Sequence, residues 1–184
     1  MTATEALRAL VKVLNEREFP FMFVGSYSSN FYGVPRSTKA ADLVLNVDSS
    51  AWGEIAGSLP KGIRFEGQGF FKMVTATRKE LIRIDGSDFQ IELFHLSDDD
   101  FDQARFARRV QVGLPDFGKF WLPTPEDVVV QKLRWAQDGS RQKDVDDVVA
   151  ILRVQDTLDF DYLESWCRKH GTLDLLARVR AEAR

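Results

Sequence analysis

An α+β fold, with an α/β N-terminal part and a helical C-terminal region, is predicted from three observations. The run Phe21-Met22-Phe23-Val24 is apolar on both pleat faces, as a strand covered on both sides requires, and it passes directly into Gly25-Ser26. Residues 80–84 and 89–94 read as strands on either side of Asp85-Gly86-Ser87-Asp88, which is hairpin chemistry. From Pro123 onward the apolar spacing becomes helical.

Taken in order, residues 4–16 place Leu7, Leu10, Val11 and Leu14 on one face of an amphipathic helix. Residues 27–33 make one or two helical turns that end near Gly33, before Pro35. From Asp42 a strand alternates, with Leu43, Leu45 and Val47 on one face and Asp42, Val44 and Asn46 on the other. Ser49 or Ser50 is placed to cap a helix over 51–59. A strand over 70–75 precedes the hairpin, whose last strand turns Phe89, Ile91 and Leu93 to the core and Gln90 and Glu92 away from it.

Thr124-Pro125-Glu126-Asp127 then supplies an N-cap, a proline at the first helical position and acids on the positive helix end. Helices through Gln137, over 141–153, over 159–169 and from Thr172 follow, with Gly139 and Gly171 at the breaks. The expected organisation is a core over 1–122 and a helical region over 123–184 packed on it.

The chain has 184 residues, 44% hydrophobic and 29% charged, enough apolar material for a real core. A formal net charge of −3 argues against a generally basic nucleic-acid coat. Cys167 is the one cysteine, so no intrachain disulfide framework is available. No apolar run approaches the roughly 18 residues of a membrane span. The N-terminus lacks a basic-then-apolar leader, and a cytoplasmic protein is expected. Gly67-Gln68-Gly69 is no dinucleotide fingerprint, because position 72 is lysine, and no P-loop is present. His95 and His170 have no partner at ligand spacing, and Trp52, Trp121, Trp135 and Trp166 read as packing residues.

The stretch Val24-Gly25-Ser26, followed by Arg36-Ser37-Thr38-Lys39-Ala40-Ala41-Asp42, resembles the opening of a nucleotidyltransferase fold of the AbiEii/MNT kind. That family places Gly-Gly or Gly-Ser after an apolar strand, then Arg-x-Thr-x-Asp-x-Asp. Asp42 fills the second acidic slot and Ala40 occupies the first. The run from Pro123 to Leu133 is similar to the family's Pro-Glu-Asp helix with its lysine, and Arg141-Gln142-Lys143-Asp144 resembles its Arg-x-Lys-Asp segment. Together these matches run from residue 21 to about 153.

The resemblance implies a mixed β-sheet with flanking helices, and transfer of a nucleoside monophosphate from an NTP to an acceptor hydroxyl with Mg²⁺ or Mn²⁺. Two acids at i and i+2 of a strand share a face and can share two ions, with a third acid from a neighbouring strand. Asp42 and Glu92 are the metal candidates, Glu92 because its alternation turns it away from the core. Gly25, Ser26, Arg36 and Thr38 are the nucleotide-binding candidates. The resemblance gives Lys132 a nucleotide contact and places Asp144 near the acceptor. Some relatives are toxins of toxin–antitoxin or phage-defence systems that modify tRNA ends, which points to an RNA acceptor and a cognate antitoxin or toxin protein.

Plainer roles stand beside these: Asp42 as a capping acid, Glu92 as a surface acid, Lys132 paired with Asp127 or Glu126, and Asp144 as a first-turn acid. Ala40 removes one anionic ligand and lowers metal affinity, whether it is an engineered change, a natural loss or the mark of a one-ion site. The rival function is a non-catalytic binding module, an antitoxin or regulatory partner protein.

Overall fold

The computed structural model describes residues 1–72 and 77–184, and for 67–72, 77 and 78 the backbone alone. The first elements are α1 (Ala3–Glu16), β1 (Phe21–Val24), α2 (Gly25–Tyr32), β2 (Ala40–Leu45), α3 (Ala51–Ser58) and β3 (Ile63–Lys72). Then come β4 (Thr77–Ile84), β5 (Gln90–His95), α4 (Asp100–Ala107), β6 (Val110–Leu114) and β7 (Gly118–Leu122). Four helices close the chain: α5 (Pro125–Trp135), α6 (Gln142–Val154), α7 (Phe160–His170) and α8 (Leu173–Glu182). The expected α+β class is what the structure has.

Two compact units emerge, one of Met1–Val24 with Thr38–Leu122, the other of Gly25–Ser37 with Pro123–Arg184. The segment Gly25–Ser37 lies in sequence within the expected 1–122 core and clusters with the C-terminal helices.

The first unit is built on a five-stranded mixed sheet of order β1-β2-β5-β4-β3, in which β2 and β5 are parallel and the other pairs antiparallel. β1 is buried at every position, as its unbroken apolar run demands. One sheet face gathers Met22, Val24 and Val44 with Phe106 of α4, and Phe94, Leu96 and Trp121 pack against them. The other face carries Leu43, Leu45, Ile91 and Leu93, each at most 1% exposed. α1 opens on a capping box between Thr2 and Glu5 and buries Leu7, Leu10, Val11 and Leu14.

Several boundaries differ from the sequence expectation. β3 starts at Ile63 rather than residue 70, and its expected end at residues 73–75 lies outside the described residues. Ser50 is the N-cap residue of α3 as expected, but its side chain makes no capping bond: the Asp48 carboxylate instead accepts from the backbone N–H of Ser50 (2.9 Å) and Ala51 (3.1 Å). α4 and the β6–β7 hairpin were not anticipated. α4 interleaves charged and polar residues with small and aromatic ones, and buries Phe101, Arg105 and Phe106. The hairpin seats Phe120 on Phe23, ring centroids 5.6 Å apart.

The second unit joins α2 to α5–α8. Gly25, at φ 62°, turns the chain from strand into helix in a conformation that other residues rarely adopt. Thr124 caps α5 as expected, accepting from the Asp127 N–H at 3.3 Å, with Pro125 at the first position. α7 ends at Gly171 in the left-handed region (φ 70°). Cys167 is fully buried in α7, and burial pushes its thiol above the ordinary range.

Candidate functional site

In the first unit the parallel register sets Asp42 directly opposite Glu92, with Ala40 opposite Gln90. Parallel neighbours share a face, so the two acids expected to act together do stand side by side. Both are half-buried. The Glu92 carboxylate is engaged: Lys79 Nζ donates to its Oε1 at 2.7 Å, and the two side chains are 17% and 18% exposed. Thr38 lies at the entrance to β2 and turns its hydroxyl inward, donating to the Ala40 carbonyl at 2.9 Å. Lys79 was not anticipated, although strand alternation could have placed it on the face of Glu92.

The second unit holds Gly25, Ser26, Arg36, Lys132 and Asp144, and one residue the sequence reading missed, Asp147. Lys132 is 3% exposed, with its ammonium 2.8 Å from Asp144 Oδ1 and 2.7 Å from Asp147 Oδ2. It pairs with neither Glu126 nor Asp127 in these contacts. Arg36 grips Asp147 with two parallel bonds, Nε to Oδ1 at 2.8 Å and Nη2 to Oδ2 at 2.9 Å. Nη2 also donates to the Ser26 hydroxyl at 3.1 Å, and Ser29 donates to Asp147 at 3.0 Å. Asn30 pins the loop by clasping the Arg36 backbone, giving Nδ2 to its carbonyl at 2.7 Å. Arg141 Nε sits 2.6 Å from the second Asp144 oxygen. That atom lacks an aligned hydrogen bond, so the contact is one of charge.

Burial opposes ionisation of Asp147, but the hydrogen bonds and charges of Arg36 and Lys132 outweigh it and hold the carboxyl down at about 2. The hydrogen bond to Asp147 in turn raises the Arg36 guanidinium above its ordinary value. Asp144 and Asp147 sit one turn apart on α6 and so share a face, which is how one buried lysine meets both. Lys132 and Asp144 therefore stand inside a closed charge network, whose more exposed members are Arg36 and Arg141.

The acids of the first unit do not fit a pair of divalent ions. Mg²⁺ demands several oxygen ligands in near-octahedral array. Ala40 offers none, and Glu92 already holds an ammonium. Among the described residues no group of three or more His, Cys, Asp or Glu gathers to hold a metal. Among the same residues no helix is long and apolar enough to cross a membrane.

No family model and no curated protein matches the sequence. Solved structures do match. ANT(2")-Ia, in a crystal structure with adenylyl-2"-tobramycin, superposes with a TM-score of 0.63 at 12% identity, over 93% of this chain and 98% of that one. An antigenic nucleotidyltransferase-like protein from Paracoccidioides brasiliensis gives 0.57 at 17% identity, over 96% and 93%. JHP933 from Helicobacter pylori gives 0.54 at 15% identity, over 97% and 84%.

Proposed function

We propose that this chain, which has the nucleotidyltransferase fold, binds a nucleoside triphosphate, and that Ala40 holds down transfer of its nucleoside monophosphate to an acceptor hydroxyl. The observation that carries this reading is the register of β2 and β5, which sets Asp42 against Glu92 beside the empty acidic slot at Ala40. A surface acid has no need of a second carboxylate beside it, whereas a centre for phosphoryl transfer uses paired carboxylates to hold cations.

Each residue then has a role. Gly25 and Ser26 open α2, whose first backbone N–H groups suit a phosphate. Arg36 adds positive charge, and Lys132 and Asp144 act through the network that holds it. Thr38 fixes the entrance to β2. Asp42 and Glu92 are the acids of the reacting centre. In the reaction the acceptor oxygen bonds to the α-phosphorus as the bond to pyrophosphate breaks, and the hydroxyl proton leaves to a base. With alanine at position 40 the centre lacks an anionic group, so the chain keeps the nucleotide and transfers little.

The motifs favour the AbiEii/MNT kind, with the cytoplasmic setting and toxin or antitoxin partner that go with it. The adenylylated tobramycin held by ANT(2")-Ia extends the acceptor class from RNA ends to hydroxyls of small cationic molecules. The test pairs this chain with A40D, each given four labelled NTPs, Mg²⁺, and either total tRNA or tobramycin. A40D is expected to transfer label roughly a hundredfold faster or more, a difference of several kcal/mol in the barrier. If neither protein transfers label nor binds an NTP in a titration, the reading fails.

A further inference from the structure

Lys79 has no role in the proposed reaction, yet its ammonium contacts Glu92, one of the two acids of the centre. It belongs to β4, where the register sets Lys79 against Phe94 and Leu81 against Glu92. Lys79 is thus the diagonal neighbour of Glu92 on one sheet face, a spacing that a long side chain can bridge. Its ammonium reaches Glu92 Oε1 at 2.7 Å, with less than a fifth of either side chain exposed. An ion pair this sheltered is screened far less than a surface pair.

We infer that Lys79 is a built-in counter-ion that occupies, at Glu92, the electrostatic place of a divalent cation and so keeps the Asp42–Glu92 pair closed to metal. This rests on the reading of Asp42 and Glu92 as the acids of the centre. Two departures from a metal-holding centre then agree with each other. Alanine at position 40 withdraws a carboxylate, and lysine at position 79 neutralises one that remains. An incoming ion has to displace a tethered cation and then find too few oxygens to replace its water.

The test uses the full-length protein and Mn²⁺ alone as the probe, so that it is independent of nucleotide. A unit charge at this range biases a charged equilibrium by roughly 1–3 log units. Calorimetric titration is therefore expected to show Mn²⁺ bound at least about tenfold more tightly by K79M than by the parent. K79R, which keeps the charge, should match the parent, and K79M/E92Q should lose the gain.

A second measurement needs no substitution. In a ¹⁵N spectrum of the parent, substoichiometric Mn²⁺ should leave the Asp42 and Glu92 amides unbroadened. Equal Mn²⁺ affinity in K79M and the parent, or selective broadening of those two amides, overturns the inference. An ATP titration separates the two claims: loss of ATP binding sinks the nucleotide reading, whereas the Mn²⁺ comparison judges Lys79.

Discussion

Asp147 carries more of the second unit's polar core than the two residues of that network singled out in sequence, Lys132 and Asp144. Its two oxygens take both Arg36 bonds, the Ser29 hydroxyl and one of the two Lys132 contacts. Its folded-state value, about 2, lies below the ordinary 3.8, so its contribution is complete above the ordinary value and drains away as pH falls toward 2. That shift corresponds to about 2 kcal/mol at neutral pH. D147N keeps the shape and leaves Lys132 and Arg36 short of an anion, and is expected to cost about 3–5 kcal/mol at pH 7. Urea midpoints for parent and D147N should converge between pH 4 and pH 2. A gap that stays constant over that range would show that the charge is not what matters. Asp147 is legible in principle: it sits one turn beyond Asp144 and so shares its helix face.

Between elements, Gly33 lies tight against α6 and against the last turn of α2. A Cβ there would lie 3.1 Å from the Ser29 carbonyl oxygen, 3.2 Å from the Ile151 nitrogen and 3.3 Å from the Ala150 Cβ. Two of these neighbours are backbone and cannot swing aside. G33A should therefore lower stability by about 1–3 kcal/mol, the usual range for overpacking, visible as a lower thermal midpoint. A raised midpoint would mean that unfolded-chain entropy outweighs the crowding. The sequence marks Gly33 only as a helix end; its packing role depends on which helix lies beneath it, and no local pattern encodes that. Elements with strong period and punctuation were legible, among them α1, β1, the β4–β5 turn at Gly86 and the capped start of α5. α4 was not, because Asp100, Asp102 and Gln103 hide the apolar stripe of Phe101 and Phe106. The β6–β7 hairpin left one usable signal, Pro115-Asp116-Phe117-Gly118, where Gly118 takes φ 85°.

For the whole molecule, sequence order and spatial order part company at Gly25–Ser37. Ser29 to Asp147, and the Gln155 side chain to the Tyr32 carbonyl at 2.7 Å, tie this segment to α6, more than a hundred positions further along the chain. Contacts of that span are invisible to periodicity, whereas the α+β class followed from the apolar run, the hairpin turn and the helical spacing after Pro123, and the orientation of Glu92 from strand alternation. The burial of Cys167 has its own consequence. It is the chain's one thiol, sealed at 0% exposure and raised by burial, so it cannot meet a water-borne alkylating reagent while α7 and α8 stay closed. Its modification rate is a stopwatch on the breathing of the second unit. D147N and G33A should each hasten labelling, about tenfold for every ~1.4 kcal/mol of opening free energy they remove.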